Sequence, residues 1–331
     1  MKNYKYFLLV FLCALLAYFL IQHTNISLGD LFQKCFDLGL EQFVVIYIIH
    51  VIHIWFIAIR WKIIVKNSFT EIKFVRGFFF YYTCMGILAS FFLSNTLGYI
   101  STRAYSLKNK HDVSVLEGSN TGVVEHVLNL LVIAVMYIPS LLFFMKILTD
   151  GYAIIFNIVL LLLIVVVIAF FPKIFINLLL IPKKVLKKFL LKIPKLKKSI
   201  DIDENTIKFI ESNRMYPVKI FIFSILVIYA SVAKFYIFAS VLNVQVPLMP
   251  FILVFPFAYI VSVTGLTPGS LGMAEMGWLG SLLLIHVTRE DAAVFLVGQR
   301  IYSTGFAVLV FFASFVVYNF FLRYHKFRSV P

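Results

Sequence analysis

Between Leu248 and Ile285 the chain is a long apolar stretch, and Pro268 with five glycines (Gly265, Gly269, Gly272, Gly277, Gly280) breaks it near its middle. One carboxylate, Glu275, follows the break. A helix that only spans a bilayer needs none of these residues. Pro268-Gly269 takes backbone N–H and C=O groups out of the helical ladder. In hydrocarbon each freed group costs several kcal/mol unless protein or a water-filled cavity satisfies it. A broken helix with an acid at membrane depth therefore points to a binding site or pathway.

That the surroundings are hydrocarbon follows from composition. The chain is 62% apolar and 14% charged, with a mean hydropathy of +0.97. A soluble domain is about half apolar and about a quarter charged. The apolar runs are continuous rather than alternating, which predicts helices and not a membrane barrel. Runs long enough to span fall at 5–22, 40–59, 123–145, 152–171, 219–242 and 292–322. The first is preceded by Lys2 and Lys5 and followed by no small-residue cleavage site, so it is expected to stay as a span. Two further apolar regions are irregular: 248–285, and Phe78–Leu93, which runs into polar Ser94-Asn95-Thr96-Leu97-Gly98 and on to Arg103. The net charge of +15 invites nucleic acid as a partner, but the charges sit between hydrophobic spans with no soluble domain to present them. Cys13, Cys35 and Cys84 are scattered and predict neither a disulfide framework nor a metal site.

Lysine and arginine set the expected orientation. If every run crossed once from an inside start, residues 173–219 would lie outside with twelve Lys/Arg, the densest basic cluster in the chain. The conflict is removed if 77–107 enters from the cytoplasm and returns to it. The cytoplasmic segments then hold 25 Lys/Arg against 7 Asp/Glu, the external ones three against six. The same accounting puts 248–285 into the membrane from the external side, as a re-entrant hairpin or as two crossings. The expected fold is an all-α polytopic membrane protein, a single transmembrane domain of about six full spans plus two opposed broken hairpins. It is organised as an inverted-topology repeat, about 1–147 and 150–331, with a basic cytoplasmic linker at 172–218 and both termini cytoplasmic.

The linker interleaves Lys183, Lys184, Lys187, Lys188 and Lys192 with Val185, Leu186, Phe189 and Leu190, at the spacing of an amphipathic helix on an anionic inner leaflet. Its alternative role is topological alone. Four charges are placed at membrane depth: Glu125, Lys234, Glu275 and Arg300. A buried Lys or Arg needs a partner, which predicts a Glu275–Arg300 or a Glu125–Lys234 pair. Glu275 could equally take a proton or hold Arg103 of the other hairpin. Arg103 is either a phosphate clamp or a snorkelling arginine. Asn95, Pro268, Gly269 and Gly272 complete the candidate substrate site, the glycines and a helix N-terminus offering amides to a phosphate. His50 and His53, at i,i+3, lack an acid or thiol on their face and are expected to pack rather than bind metal. Asp201-Ile202-Asp203 sits in too short a linker for a nucleotide fold. No lipase elbow, P-loop or zinc-protease motif is present, so no catalytic residue and no cofactor is expected.

Thr267-Pro-Gly-Ser-Leu-Gly-Met-Ala-Glu275 resembles the Pro-Gly-Gly-x-Gly-x-x-Glu signature of the lysylphosphatidylglycerol synthase transmembrane region, or flippase-like domain family. Gln299-Arg300-Ile301-Tyr302 is similar to the Tyr-Arg-Leu element of that family's last span. Glu125-His126 through Asn129 is similar to its Glu-Arg-x-x-Asp element, and Ser94–Arg103 to its first hairpin. Ser270, His126 and Asn129 depart from the usual Gly, Arg and Asp. The resemblance implies lipid handling in a bacterial or archaeal cytoplasmic membrane: a flippase moving an anionic phospholipid or polyprenyl-linked lipid. In two-function members an aminoacyl-transferase domain follows the membrane part; this chain stops at Pro331, so only the lipid-moving part is expected. A separate synthase or a second copy of the chain is an implied partner. Without an ATPase motif, transport is expected to be downhill or ion-coupled. The competing expectation is a membrane transferase or accessory subunit of envelope glycolipid synthesis.

Overall fold

The computed structural model describes residues 29, 33, 37–173, 175, 215–265 and 267–328. Among them the chain is helical throughout, with no strand. In order these are α1 (Leu40–Ser68), α2 (Phe78–Phe92), α3 (Asn95–His111), α4 (Val115–Phe144), α5 (Asp150–Phe170), α6 (Met215–Val241), α7 (Leu248–Thr264), a 3₁₀ turn (Pro268–Ser270), α8 (Met273–Leu284) and α9 (Arg289–Arg328). Helices α1, α4, α5, α6 and α9 are long and apolar enough to cross a membrane. They coincide with five of the six expected spans. The sixth, 5–22, and the linker lysines Lys183, Lys184, Lys187, Lys188 and Lys192 lie outside the described residues.

Helix α1 continues to Ser68, well past the end of the apolar run at 59. Its extension carries Arg60, Trp61 and Ile64 into the protein, all at most 2% exposed. By contrast α2 has 15 residues and α7 has 17. At a rise of about 1.5 Å per residue they reach only about 22 and 26 Å, short of a hydrocarbon core of about 30 Å.

Glycine decides how these short helices pair. A Cβ on Gly98 of α3 would lie 2.5 Å from the Ser90 backbone of α2. One on Gly277 of α8 would lie 2.9 Å from Val261 Cβ and 3.0 Å from the Ala258 carbonyl of α7. Each hairpin is thus closed by a glycine in its second arm set against the first. Gly118 and Gly122 do the same between α4 and α3: their added Cβ atoms would come within 2.8 Å of Ala104 Cα and 3.1 Å of Ile100 Cα. Small residues at helix crossings are how membrane helices reach close van der Waals contact.

The two halves correspond in order: a long helix, a hairpin, a long helix. The first is α1, α2–α3, α4; the second is α6, α7–α8, α9. The main core lies among α4, α6, α7, α8 and α9, with Trp278 packed between Phe235, Phe251, Phe255 and Phe295. A smaller aromatic cluster joins Trp61, Phe78, Phe79, Tyr82 and Tyr318. The outward faces are apolar too: Tyr152, Ile155 and Leu162 on α5 and Phe312, Val316 and Phe320 on α9 are each 59% or more exposed. Such a surface in water would aggregate; against lipid it is the solvent face.

Candidate functional site

The two chain breaks meet. Ser94 caps α3 through Leu97 N–H, leaving the carbonyl of Leu93 free at the first break. Gly269, in the second break, donates its N–H to that carbonyl at 2.8 Å. A group freed by Pro268-Gly269 is therefore satisfied by a group freed at Leu93-Ser94, one backbone break meeting another. Gly269 has φ +59° and Gly272 φ +81°, conformations that cost glycine little. Ser270 shares this region with φ +55°. Where the family signature has its second glycine, this chain holds a fully buried serine whose Oγ has no hydrogen-bond partner among the described residues.

Around this junction lies a cavity of about 240 Å³. Its walls follow helical periodicity. Helix α1 presents His50, His53, Ile57 and Arg60, at steps of three or four. Helix α4 presents Gly122, Glu125, His126 and Asn129; α6 presents Ser231, Lys234 and Phe235; α9 presents Gln299, Arg300 and Ser303. The hairpins add Asn95, Thr96 and Tyr99 on one side and Tyr259, Gly269 and Trp278 on the other.

Two ionic networks support these walls. In the first, Glu125 Oε2 accepts from Arg103 Nε at 2.9 Å, and Arg60 Nη2 stands 3.5 Å from Glu125 Oε1. Arg60 also donates to Asn129 Oδ1 and, at 3.3 Å, to Ser224 Oγ. Arg103 donates to Thr83 Oγ1 at 3.1 Å and lies 3.8 Å over the Trp61 ring. Trp61 Nε1 in turn donates to Thr121 Oγ1 at 3.1 Å. Arg60, Arg103 and Glu125 are 2%, 0% and 5% exposed. One carboxylate shared by two guanidiniums is far cheaper to bury than any of the three alone.

The second network is local to the other break. Glu275, in the first turn of α8, accepts from Gly272 N–H at 2.7 Å and from Arg300 Nε. Arg300 Nη1 donates to the Gly269 carbonyl at 2.8 Å. Glu275 thus caps its own helix while holding the arginine that stabilises the break, and a carboxylate at a helix N-terminus is favoured by the helix dipole as well.

The structure brings together most of the residues expected from sequence. Asn95, Glu125, Lys234, Gly269 and Arg300 line one cavity. Glu275 stands behind Arg300, while Pro268 and Gly272 shape the turn. The Glu275–Arg300 pair forms. The Glu125–Lys234 pair does not, nor does a Glu275–Arg103 pair: Arg103 and Glu125 bind each other. The reason is the glycine face of α4. Gly118 and Gly122 admit α3 so closely that Arg103 Cγ would lie 3.3 Å from a Cβ at 122, which sets its guanidinium beside Glu125 one turn on. Lys234, 7% exposed, has the ring of Phe235 at 4.5 Å and no carboxylate within 4 Å among the described residues. His126 lies 3.3 Å from Thr96 Oγ1, and Asn129 serves Arg60, so both departures from the family pattern still have polar partners.

Arg60 is the member that sequence alone misses. It follows the apolar run 40–59 and precedes Trp61-Lys62, so it looks like the inner edge of a span. The signal that places it is periodicity: His50, His53, Ile57 and Arg60 fall on one face. Among the described residues no three His, Cys, Asp or Glu side chains form a group able to hold a metal.

Helical spans, lipid-facing outer surfaces and a charged interior together define a multi-pass all-α membrane protein. Its sequence matches the family described as the lysylphosphatidylglycerol synthase TM region over residues 6–310, nearly the whole chain, and the protein belongs to that family. This places it among membrane proteins of lipid-related processes. No curated protein and no solved structure matches the chain.

Proposed function

We propose that the protein is a lipid transporter that carries a headgroup between leaflets through the cavity where the two broken hairpins meet. One observation carries this reading. The cavity shares a wall residue, Ile100, with a shallow, mostly apolar groove of about 840 Å³ along α3, lined by Leu93, Leu97, Ala104, Tyr105 and Val115 together with Ser101, Lys108, Asn109 and Ser119. Leu93, Leu97 and Tyr105 are 43%, 56% and 53% exposed. A polar chamber beside an outward apolar groove matches the two ends of one lipid: the headgroup inside, the chain outside.

The hairpins act as re-entrant elements, because α2 and α7 are too short to cross and their breaks meet inside the protein. Two half-crossing hairpins joined at a polar junction give a site reachable from either side by small motions of one half against the other. The protein acts in the cytoplasmic membrane of a bacterium or archaeon, with its termini on the cytoplasmic side. Its role is transport rather than catalysis, acting on a lipid that a synthase supplies.

The test is leaflet exchange in liposomes containing the purified protein and fluorescent lipids, scored by quenching from outside. Exchange of an anionic, aminoacylated or polyprenyl probe is expected. Glu275→Gln and Arg300→Met, which alter the backbone of the site, should each slow it by about tenfold or more, a barrier change of about 1.4 kcal/mol per factor of ten. No exchange of any of the three lipid classes by well-folded protein overturns the proposal and leaves the membrane transferase or its accessory subunit as the better account.

A further inference from the structure

The two halves place their charges in matching positions. In each, a residue of the hairpin's second arm pairs with one of the following long helix: Arg103 with Glu125, Glu275 with Arg300. In each, the preceding long helix adds a buried cation, Arg60 on α1 and Lys234 on α6. Here the halves part. Arg60 finds Glu125, Asn129 and Ser224. Lys234 finds an aromatic ring. The same cavity is lined by further residues with polar atoms that have no partner among the described residues: both ring nitrogens of His50, Arg300 Nη2 and Ser303 Oγ. His50 is 3% exposed and lies within electrostatic reach of Lys234.

Charge balance says what would satisfy them. Among the described residues, the site and its supports hold four cations, Arg60, Arg103, Lys234 and Arg300, against two carboxylates, Glu125 and Glu275. The excess is two positive charges in a setting where each uncompensated charge is costly. A zwitterionic headgroup brings no net charge and a phosphodiester only one negative charge. A terminal phosphate brings close to two at neutral pH, with three strong acceptor oxygens.

We infer that Lys234 of α6 and His50 of α1, with Arg300 and Ser303 of α9 lining the same cavity, form a subsite for a terminal phosphate dianion, the head of a lipid phosphomonoester. This rests on the lipid-transport reading and names its substrate class. Lys234 supplies the point charge, Arg300 Nη2 and Ser303 Oγ are free to donate, and His50 donates through whichever ring nitrogen carries its proton.

Binding is measured in detergent by the fluorescence of Trp278, which lines the cavity and packs 5.0 Å from the Phe235 ring beside Lys234. Trp278→Phe identifies its signal. The probes are farnesyl phosphate, dihexanoylphosphatidylcholine and inorganic phosphate. Farnesyl phosphate should bind at least about tenfold tighter than the phosphatidylcholine. Lys234→Met should weaken farnesyl phosphate by about tenfold or more and leave phosphatidylcholine within about twofold. The same variant should melt at or above the temperature of the parent without ligand, because it removes a buried charge that has no carboxylate beside it. His50→Leu should weaken the phosphate probes alone. Tighter binding of farnesyl phosphate than inorganic phosphate assigns the dianion to a lipid; equal binding assigns it to free phosphate.

Equal affinity for farnesyl phosphate and phosphatidylcholine overturns the subsite. So does an unchanged affinity in Lys234→Met, or a lower melting temperature, which would make Lys234 structural. Leaflet exchange plays no part in this measurement. Dianion binding without exchange keeps the subsite and removes the transporter; exchange without a dianion preference does the reverse.

Discussion

The first and second hairpins solve the same problem by different means. Both interrupt a helix inside an apolar bundle, and both carry an ion pair to the following long helix. In the first, the break is short, Ser94 caps it, and the charges are held at a distance from it by α1 and α4. In the second the break takes in the turn Pro268–Ser270 and Gly272, and its own ion pair stabilises it. Glu275 binds Gly272 N–H, and Arg300 binds the Gly269 carbonyl. The first network therefore fixes how helices pack, and the second fixes the backbone of the site. A change to the first should act mainly on stability, and a change to the second on the geometry of the cavity.

The largest effect tests the first network. Glu125→Ala leaves Arg60 and Arg103 buried without a carboxylate and should cost about 3–5 kcal/mol, read by chemical unfolding in detergent. A loss below about 1 kcal/mol would mean that the arginines are hydrated and the network is not structural. Next comes the second network. Arg300→Met with Glu275→Gln, taken singly and together, should show a coupling of about 1–3 kcal/mol. Additive effects would break the pairing. Smaller again is a contrast between glycines. Gly98→Ala drives a methyl into the Ser90 backbone and should cost about 1–3 kcal/mol, whereas Gly280→Ala, with no described atom within 4 Å of the added methyl, should be neutral or slightly stabilising. The smallest expected effect is Ser270→Gly. It relieves the left-handed φ and removes a buried hydroxyl that has no described partner, for a gain of about 1 kcal/mol set against the extra freedom glycine has when unfolded. A loss would show that the serine hydroxyl is bonded in the native state.

The broken segment 264–280 was legible in sequence, because a helix that merely crosses a bilayer would carry neither Pro268-Gly269 nor Glu275; its partner Arg300 was one of the alternatives that the charges left open. The long helices were legible from their continuous apolar runs. The partner of Glu125 was not. It depends on how closely α3 approaches α4, which Gly118 and Gly122 control, and a glycine in a sequence does not say which helix it admits. Arg60 was missed because hydropathy ends the span at residue 59, while the helix itself runs to Ser68. Lys234 was expected to pair, on the rule that buried cations do. That it has no carboxylate beside it among the described residues is visible only when all six charges are placed together.

The central claim, that a lipid headgroup occupies the junction of the two breaks, is most directly tested by photolabelling. A farnesyl phosphate analogue carrying a diazirine next to the phosphate is bound to the purified protein and irradiated, and the labelled peptides are mapped by mass spectrometry. Label on Ser231–Phe235 of α6 and Gln299–Ser303 of α9, competed by unlabelled farnesyl phosphate, is the predicted result. Label confined to the outward face of α5, around Tyr152, Ile155 and Leu162, would contradict it.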